Sequence, residues 1–336
     1  MNQVKALALY SGGLDSLVAC RVIMEQGIAV TAIHFITPFF GYDKKGREKE
    51  VEAHALKHYG INLTIIDVSK DFLTIVKKPR HGYGKNLNPC VDCKIFLLSK
   101  ARECMKDEGA SFLITGEVLG QRPMSQRRDT LRIIERDSGT EGILLRPLSA
   151  KRLKPTIPEE RGWVDRNKLL DFAGRGRTLQ MALAKKFGIT HYATPAGGCL
   201  LTNEHTVARI QWFFDHTADA TVNDMLLATV GRHFALDHET LLVVGRCEKE
   251  NLQISQLAQT GDVTLELAYN PGPLSLLRGP ITPDIVERAA SITVRYSKAR
   301  LENQVKVVVR KEGTLSKEEL TVDPIPDHRI KDWQII

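Results

Sequence analysis

The sequence predicts an α/β protein: a doubly wound parallel sheet, followed by a smaller α+β domain with a possible ferredoxin-like order. Three observations carry this. The first 115 residues alternate strand-like and helix-like segments, the rhythm of a parallel sheet covered on both faces. A Gly-Gly turn lies between the first strand and the first helix. Beyond Thr202 the character changes, to two helical segments and then a β-α-β-β-α-β succession, the split βαβ pattern of ferredoxin-like folds. The domain boundary is therefore drawn between residues 1–202 and 203–336.

Val4 to Tyr10 is a short apolar run and reads as a strand. Leu14 to Gln26 reads as a helix, with Leu17, Val18, Cys20, Val22 and Ile23 on a broad apolar face. Ala29 to Phe35 is a second strand. Arg47 to His58 is helical and stops before Gly60. Leu63 to Val68 is a third strand. Asp67 to Asn88, with Pro79, Gly82, Gly84 and interspersed basic residues, reads as a long loop. Cys93 to Glu108 is a helix ending at Gly109, and Phe112 to Thr115 a fourth strand. Arg146 to Gly176 is irregular and basic. In the second domain, His205–Phe214 and Val222–Arg232 read as helices, the latter with Thr221 as N-cap. Leu241–Arg246, Val263–Tyr269, Leu274–Leu277 and Val305–Arg310 read as strands, with helices at Glu250–Gln259 and Asp284–Tyr296. Asp323 to Pro326 marks a loosely structured tail.

Composition narrows the class. Of 336 residues, 43% are hydrophobic and 26% charged, which argues against a disordered chain. Lys and Arg outnumber Asp and Glu by 47 to 40, a modest excess that favours a polyanionic partner. Six cysteines make no disulfide scaffold, no apolar run is long enough to span a bilayer, and Met1–Lys5 runs straight into a strand without a secretory signature. The expectation is a cytoplasmic protein with no membrane association, whose cysteines are core filler, catalytic thiols or metal ligands.

Ser11-Gly12-Gly13-Leu14-Asp15-Ser16 joins the first strand to the first helix. The glycines allow a tight turn and close ligand approach, and the first N–H groups of the helix, with the Ser11 and Ser16 hydroxyls, form an anion site. A plain Gly-Gly turn with Asp15 favouring the helix dipole explains less, because it leaves the two serines unaccounted for. Neither a Walker A run nor a Gly-x-Gly-x-x-Gly fingerprint is present. The hexapeptide resembles the pyrophosphate loop of the PP-loop ATP pyrophosphatases, whose domain is adenine nucleotide alpha hydrolase-like. The resemblance implies attack of a substrate oxygen on the α-phosphorus of ATP, giving an adenylated intermediate and pyrophosphate. It implies that Asp15 helps to hold Mg²⁺ and pyrophosphate, and that Ile33 and His34, ending the second strand, lie near adenine and ribose. A lone His34 is more often structural.

Thr115-Gly116-Glu117-Val118-Leu119-Gly120-Gln121 follows the fourth strand, with Ser125-Gln126 after it. An ordinary βα turn would explain Gly116 and not the rest. The block, with Leu144–Leu148, is similar to the corresponding segments of tRNA 4-thiouridine synthetases, over roughly residues 4 to 200. The resemblance assigns Gly116 and Gln121 to the nucleotide site. It departs in two respects: that family usually carries an N-terminal RNA-binding extension, whereas here the loop begins at residue 11, and about 130 residues follow the catalytic part.

Cys90-Val91-Asp92-Cys93 opens a helix, where thiolates are favoured. Redox dithiol, half a zinc site and part of an iron–sulfur site are competing readings. No second Cys-x-x-Cys completes a zinc site, and Cys199, after Gly197-Gly198, is the best third partner. The three cysteines resemble the set of iron–sulfur-dependent tRNA thiolases, which implies a [4Fe–4S] cluster on Cys90, Cys93 and Cys199 with one iron open to sulfur. The alternative is a persulfide carried on Cys199 and resolved by the pair. Cys20, Cys104 and Cys247 receive no function.

Basic residues recur at Lys77, Lys78, Arg80, His81 and Lys85; at Arg122, Arg127, Arg128, Arg132 and Arg136; at Lys151, Arg152, Lys154 and Arg161; and at Arg175-Gly176-Arg177. Each alone is an ordinary surface charge, but together they suit a phosphate-tracking surface. The expectation is an ATP-dependent tRNA sulfurtransferase making a thiouridine, with 4-thiouridine favoured, using ATP, Mg²⁺ and a [4Fe–4S] cluster. Its partners would be tRNA and a sulfur donor, either sulfide or a cysteine desulfurase; the oligomeric state stays open, a homodimer included. Two rivals remain: a PP-loop enzyme that adenylates a small molecule for sulfur or nitrogen insertion, and a non-enzymatic RNA-binding or sulfur-trafficking protein.

Overall fold

The apolar run after Val4 forms β1 (Lys5–Leu9), and the Gly-Gly turn releases the chain into α1 (Leu14–Met24). The computed structural model describes residues 4–192 and 199–335. Then come β2 (Ala29–Ile36), α2 (Glu48–Tyr59), β3 (Asn62–Asp67), α3 (Ser69–Lys77), α4 (Cys90–Cys104) and β4 (Phe112–Thr115). The unit is completed by α5 (Arg128–Ser138), β5 (Leu144–Leu145), the single turn α6 (Ile157–Glu160) and α7 (Thr178–Lys186). Residues Met1–Thr202 make one compact unit.

Its sheet is parallel, in the order β3-β2-β1-β4-β5. Side chains alternate between two cores, as strand geometry requires. Ala6, Ala8, Ala32 and Ile114 join the α1 side with Leu17, Val18 and Ala184. Leu7, Ile33, Phe35 and Leu113 join the opposite side with Leu98, Ala101 and Ile134. The sheet is thus doubly wound, and the winding reverses between β1 and β4, where such sheets open a crevice at the strand carboxyl ends.

Several expected elements change. The stretch 67–88 is not one loop: Phe72 and Val76 are buried and fold Ser69–Lys77 into α3, leaving 78–89 as the loop. Helix α4 takes in Cys90 at its start and ends at Cys104 instead of Glu108. The stretch holding Arg128, Arg132 and Arg136 is helix α5, because Leu131 and Ile134 bury one face.

Residues Asn203–Ile336 make the second unit. It comprises α8 (Glu204–His216), α9 (Val222–Ala228), β6 (Arg232–Ala235), β7 (Leu241–Val244), α10 (Glu248–Leu257), β8 (Val263–Leu267), β9 (Ser275–Arg278), α11 (Pro283–Arg295), β10 (Val305–Lys311), β11 (Lys317–Val322) and α12 (Asp327–Ile330). Thr221 caps α9 through a capping box with Asp224. The β-α-β-β-α-β succession runs from β7 to β10, inside an antiparallel sheet of order β11-β10-β8-β9-β7-β6. Both βαβ units are split, β7 and β8 by β9, and β9 and β10 by β8. The sheet exceeds the ferredoxin-like expectation at both edges. Arg232–Ala235 is strand β6 rather than the end of a helix, and β11 had no sequence reading. Nor is the tail loose: Ile325 and Ile330 are buried in the core beneath α11, and Ile325 N–H donates to Ser291 O at 3.2 Å. Arg278 ties the unit together, donating to Asp224 and Asp262 at 2.7 Å each.

Candidate functional site

Sheet register sets the site. Leu9 at the end of β1 lies opposite Ile33 on one side and Thr115 on the other. The segments leaving β1, β2 and β4 therefore emerge side by side at the switch point.

The loop after β1 turns at Gly12, whose φ of +78° is left-handed. Gly13 is the N-cap of α1 and supplies no side-chain cap, so the first N–H groups of the helix are left for an incoming anion. The serines hold this loop in shape. Ser16 Oγ donates to Gly13 O at 2.9 Å and accepts from Ser11 N–H at 3.2 Å, and the two hydroxyls are 3.2 Å apart. Ser16 is buried whereas Ser11 is exposed, so Ser16 is chiefly a staple and Ser11 the hydroxyl that faces solvent.

Gly116 fits against this loop more closely than any side chain could. A Cβ there would lie 2.4 Å from the Asp15 carbonyl carbon and the Ser16 nitrogen. Gln121, from the same turn, donates to Asp15 Oδ2 at 3.2 Å. The Arg177 guanidinium lies 3.8 Å from that oxygen. Asp15 Oδ1 is buried with no hydrogen-bond partner. A buried carboxylate oxygen left without a partner matches the all-oxygen preference of Mg²⁺.

Ile33 is buried in the sheet. His34 is also buried, and its Nδ1–H donates to Tyr10 O at 2.7 Å. Burial lowers its pKa to about 4, so it is neutral at physiological pH, with Nε2 a bare acceptor that has no partner.

Glu117 and Arg146 form a buried pair, Arg146 Nε donating to Glu117 Oε2 at 3.0 Å, while Arg146 also reaches Glu135. Lys94 and Arg146 outweigh burial and hold the Glu117 carboxyl below its usual range. This pair serves the scaffold. Ser125 and Gln126 do likewise: both are buried, and Gln126 accepts Gly120 N–H on its backbone and Arg122 N–H on its side chain.

Lys94 follows Cys93 and reaches Glu117 at 3.5 Å, which sets the start of α4 beside the turn that carries Gly116. Cys90 lies in the first turn of α4 and donates to Asn88 Oδ1 at 3.1 Å. Asp92, between the cysteines, accepts from the backbone N–H groups of Arg80 and His81 and faces His81 Nδ1 at 3.0 Å. That pins the loop 78–89 onto the helix start. Cys199 lies against the segment leaving β2, its thiol 3.8 Å from Phe39 O and Leu200 N–H donating to the same oxygen at 3.2 Å. Burial raises the Cys93 thiol to about 12 and Cys199 to about 11, and Cys90 adds to both shifts electrostatically. Among the described residues no three His, Cys, Asp or Glu side chains converge on a single-ion position. The Gly197-Gly198 approach to Cys199 lies outside the described residues. Cys20 is buried core, as read, and Cys247 is exposed.

A doubly wound parallel sheet, a Ser-Gly-Gly-x-Asp-Ser turn at its switch point and a glycine seated on that turn make up the candidate anion site. Residues 1–154 match the family model described as Thiamine biosynthesis protein (ThiI). Residues 231–334 match the model described as NFACT protein RNA binding domain. The chain is 30% identical over 138 residues to a "Probable tRNA sulfurtransferase" of Thermococcus kodakarensis, covering 41% of this chain and 35% of the relative. It is 28% identical over 159 residues to a protein of the same description from Bacillus subtilis, covering 47% and 38%. The chain thus spans little more than a third of the length of these relatives. A solved 4-thiouridine synthetase–RNA complex with bound ATP aligns at a TM-score of 0.36 and 19% identity, over 56% of this chain and 54% of that one.

One residue at the site escaped its sequence reading. Arg177 was grouped with RNA-facing charge, yet it stands beside Asp15. The Arg-Gly-Arg spelling before a helix was the available signal; its target, 162 positions earlier, was not legible.

Proposed function

We propose that the chain is an ATP-dependent tRNA sulfurtransferase that converts a uridine to a thiouridine, with 4-thiouridine as the favoured product. The observation that carries this is one shared edge: Gly116 after β4 packs on the backbone of Asp15 and Ser16 after β1, Lys94 beside Cys93 reaches Glu117 in that same turn, and Cys199 lies against Phe39 after β2.

In this reading the N–H groups at the start of α1 and the Ser11 hydroxyl hold the pyrophosphate end of ATP. A uridine carbonyl oxygen attacks the α-phosphorus, the bond from that phosphorus to the bridging oxygen breaks, and pyrophosphate leaves. Hydrosulfide then attacks the same ring carbon, the carbon–oxygen bond breaks, AMP departs with the original oxygen, and loss of the sulfur-bound proton leaves the thiocarbonyl. The protein's part is alignment and charge neutralisation. Asp15 would hold Mg²⁺, which supplies positive charge against the phosphates. Neutral His34, with its bare Nε2, would meet the nucleoside at the end of the second strand.

Cys90, Cys93 and Cys199 would hold a [4Fe–4S] cluster, which supplies an iron open to sulfur. Three soft sulfur donors suit it, and because its irons are spread over the width of the cluster, its ligands need not close on one point as they must around zinc. The donor would be sulfide or a cysteine desulfurase. The second unit, through its RNA-binding-type match, and the exposed arginines and lysines of the first unit would hold tRNA, and the enzyme would act in the cytoplasm.

Nucleoside mass spectrometry tests the reading. tRNA from an anaerobically grown host lacking its own thiouridine synthetase should gain a sulfur-bearing uridine when this chain is expressed, and none with Asp15→Ala. Equal thiolation by that variant, or pyrophosphate release without any thionucleoside when sulfide is supplied, would overturn it, the latter in favour of a small-molecule substrate.

A further inference from the structure

Four observations converge on one side of the pyrophosphate loop. Helix α7 packs against α1, its N-cap Arg177 faces Asp15 in the first turn of α1, and Arg21 lies over the Phe187 ring at the far ends, so the two helix starts lie together. The segment before Arg177 is pinned to the turn after β4, with Leu119 bridged to Ala173 and Gly174 N–H donating to Leu119 O at 2.8 Å. The Arg177 guanidinium stands 3.8 Å from Asp15 Oδ2, longer than a hydrogen bond, and that oxygen already accepts from Gln121. Gln180, one turn further along the same helical face, is only 1% exposed, and its amide Nε2 has no partner.

We propose that Arg177 is a nucleotide-binding residue, donating to the phosphate chain of ATP rather than tracking the backbone of tRNA. The proposal rests on the ATP reading above. A triphosphate brought to the α1 N-terminus adds several negative charges next to the Asp15 carboxylate, so a cation is needed at this point. A guanidinium provides it with a planar fork that matches phosphate oxygens. Arg177 is the more sheltered of the two arginines: 31% of its side chain is exposed and it faces Asp15, whereas Arg175 is an exposed residue with no such partner among the described residues. At Gly176 a Cβ would meet nothing within 4 Å, so the backbone there borders open space beside the loop.

The test is calorimetric titration of the full chain with α,β-methylene-ATP, pyrophosphate and adenosine, together with tRNA binding. The proteins are wild type, Arg177→Ala, Arg177→Lys and, for an equal loss of charge at the far end of α7, Lys185→Ala. Arg177→Ala should weaken α,β-methylene-ATP and pyrophosphate about ten- to a hundredfold, consistent with a charge-assisted hydrogen bond. Adenosine and tRNA affinity should stay within twofold, Arg177→Lys should recover part of the loss, and Lys185→Ala should match wild type. Unchanged triphosphate affinity in Arg177→Ala overturns the proposal. So does equal weakening of adenosine, which marks a structural role, or loss of tRNA affinity alone, which returns Arg177 to the RNA surface. A wild-type protein that binds neither ATP analogue nor pyrophosphate overturns the PP-loop reading itself, a distinguishable result.

Discussion

At the scale of single residues, the site depends on what is missing from Gly116. Its hydrogen is all that separates β4's turn from the backbone of Asp15 and Ser16, and backbone atoms cannot rotate aside as a side-chain tip can. Gly116→Ala is therefore expected to cost about 2 kcal/mol or more of stability and to weaken ATP binding at least about tenfold, as overpacking against rigid neighbours does. Denaturant unfolding and nucleotide titration measure the two effects; a variant with wild-type values in both would show that the loops do not pack this tightly. Gly116 was visible in the sequence as part of a motif. The reason for it was not, because the contact joins residues 100 positions apart.

Helix α4 carries two jobs at the scale of elements. Its first turn presents Cys90 and Cys93, while Lys94 just behind them meets Glu117. The buried Glu117–Arg146 pair then fixes β4's turn to the strand end of β5. Removing one partner leaves a charge stranded out of water, so Arg146→Met should destabilise the first unit by about 3 kcal/mol. Adding Glu117→Gln should recover part of that loss, a non-additive cycle read by thermal or denaturant unfolding. Additive losses would mean the pair is not coupled. The helix itself was legible from its periodicity, though its start was placed three residues late at Cys93. Helix α3 was missed because Pro79, Gly82 and Gly84 shortly after it suggested a continuous loop, whereas burial of Phe72 and Val76 decides for helix.

At the scale of the whole molecule there are two units, each with its own sheet and core, and among the described residues no helix is long and apolar enough to cross a membrane. If tRNA is held by charge on both, residues 1–202 alone should keep ATP binding but lose at least about tenfold in tRNA affinity, with a shallower fall in affinity as salt rises than the full chain shows. Filter binding across a salt series measures this. Equal affinity and slope for the two would leave the second unit without a role in tRNA capture.

Short-range order in this protein was determined by sequence alone: the parallel α/β rhythm, the turn at Gly12-Gly13, the cysteines at a helix start and the split βαβ succession. Those features rest on periodicity, backbone permissiveness and chemistry within a few residues. Tertiary structure decided the rest. Register set Leu9 beside Ile33 and Thr115, which gathered three loops at one edge; packing of α7 on α1 moved Arg177 from a general basic surface to Asp15; and edge pairing recruited β6 and β11 into the second sheet. Each of these is a contact between distant segments, fixed by burial and pairing that no local pattern encodes.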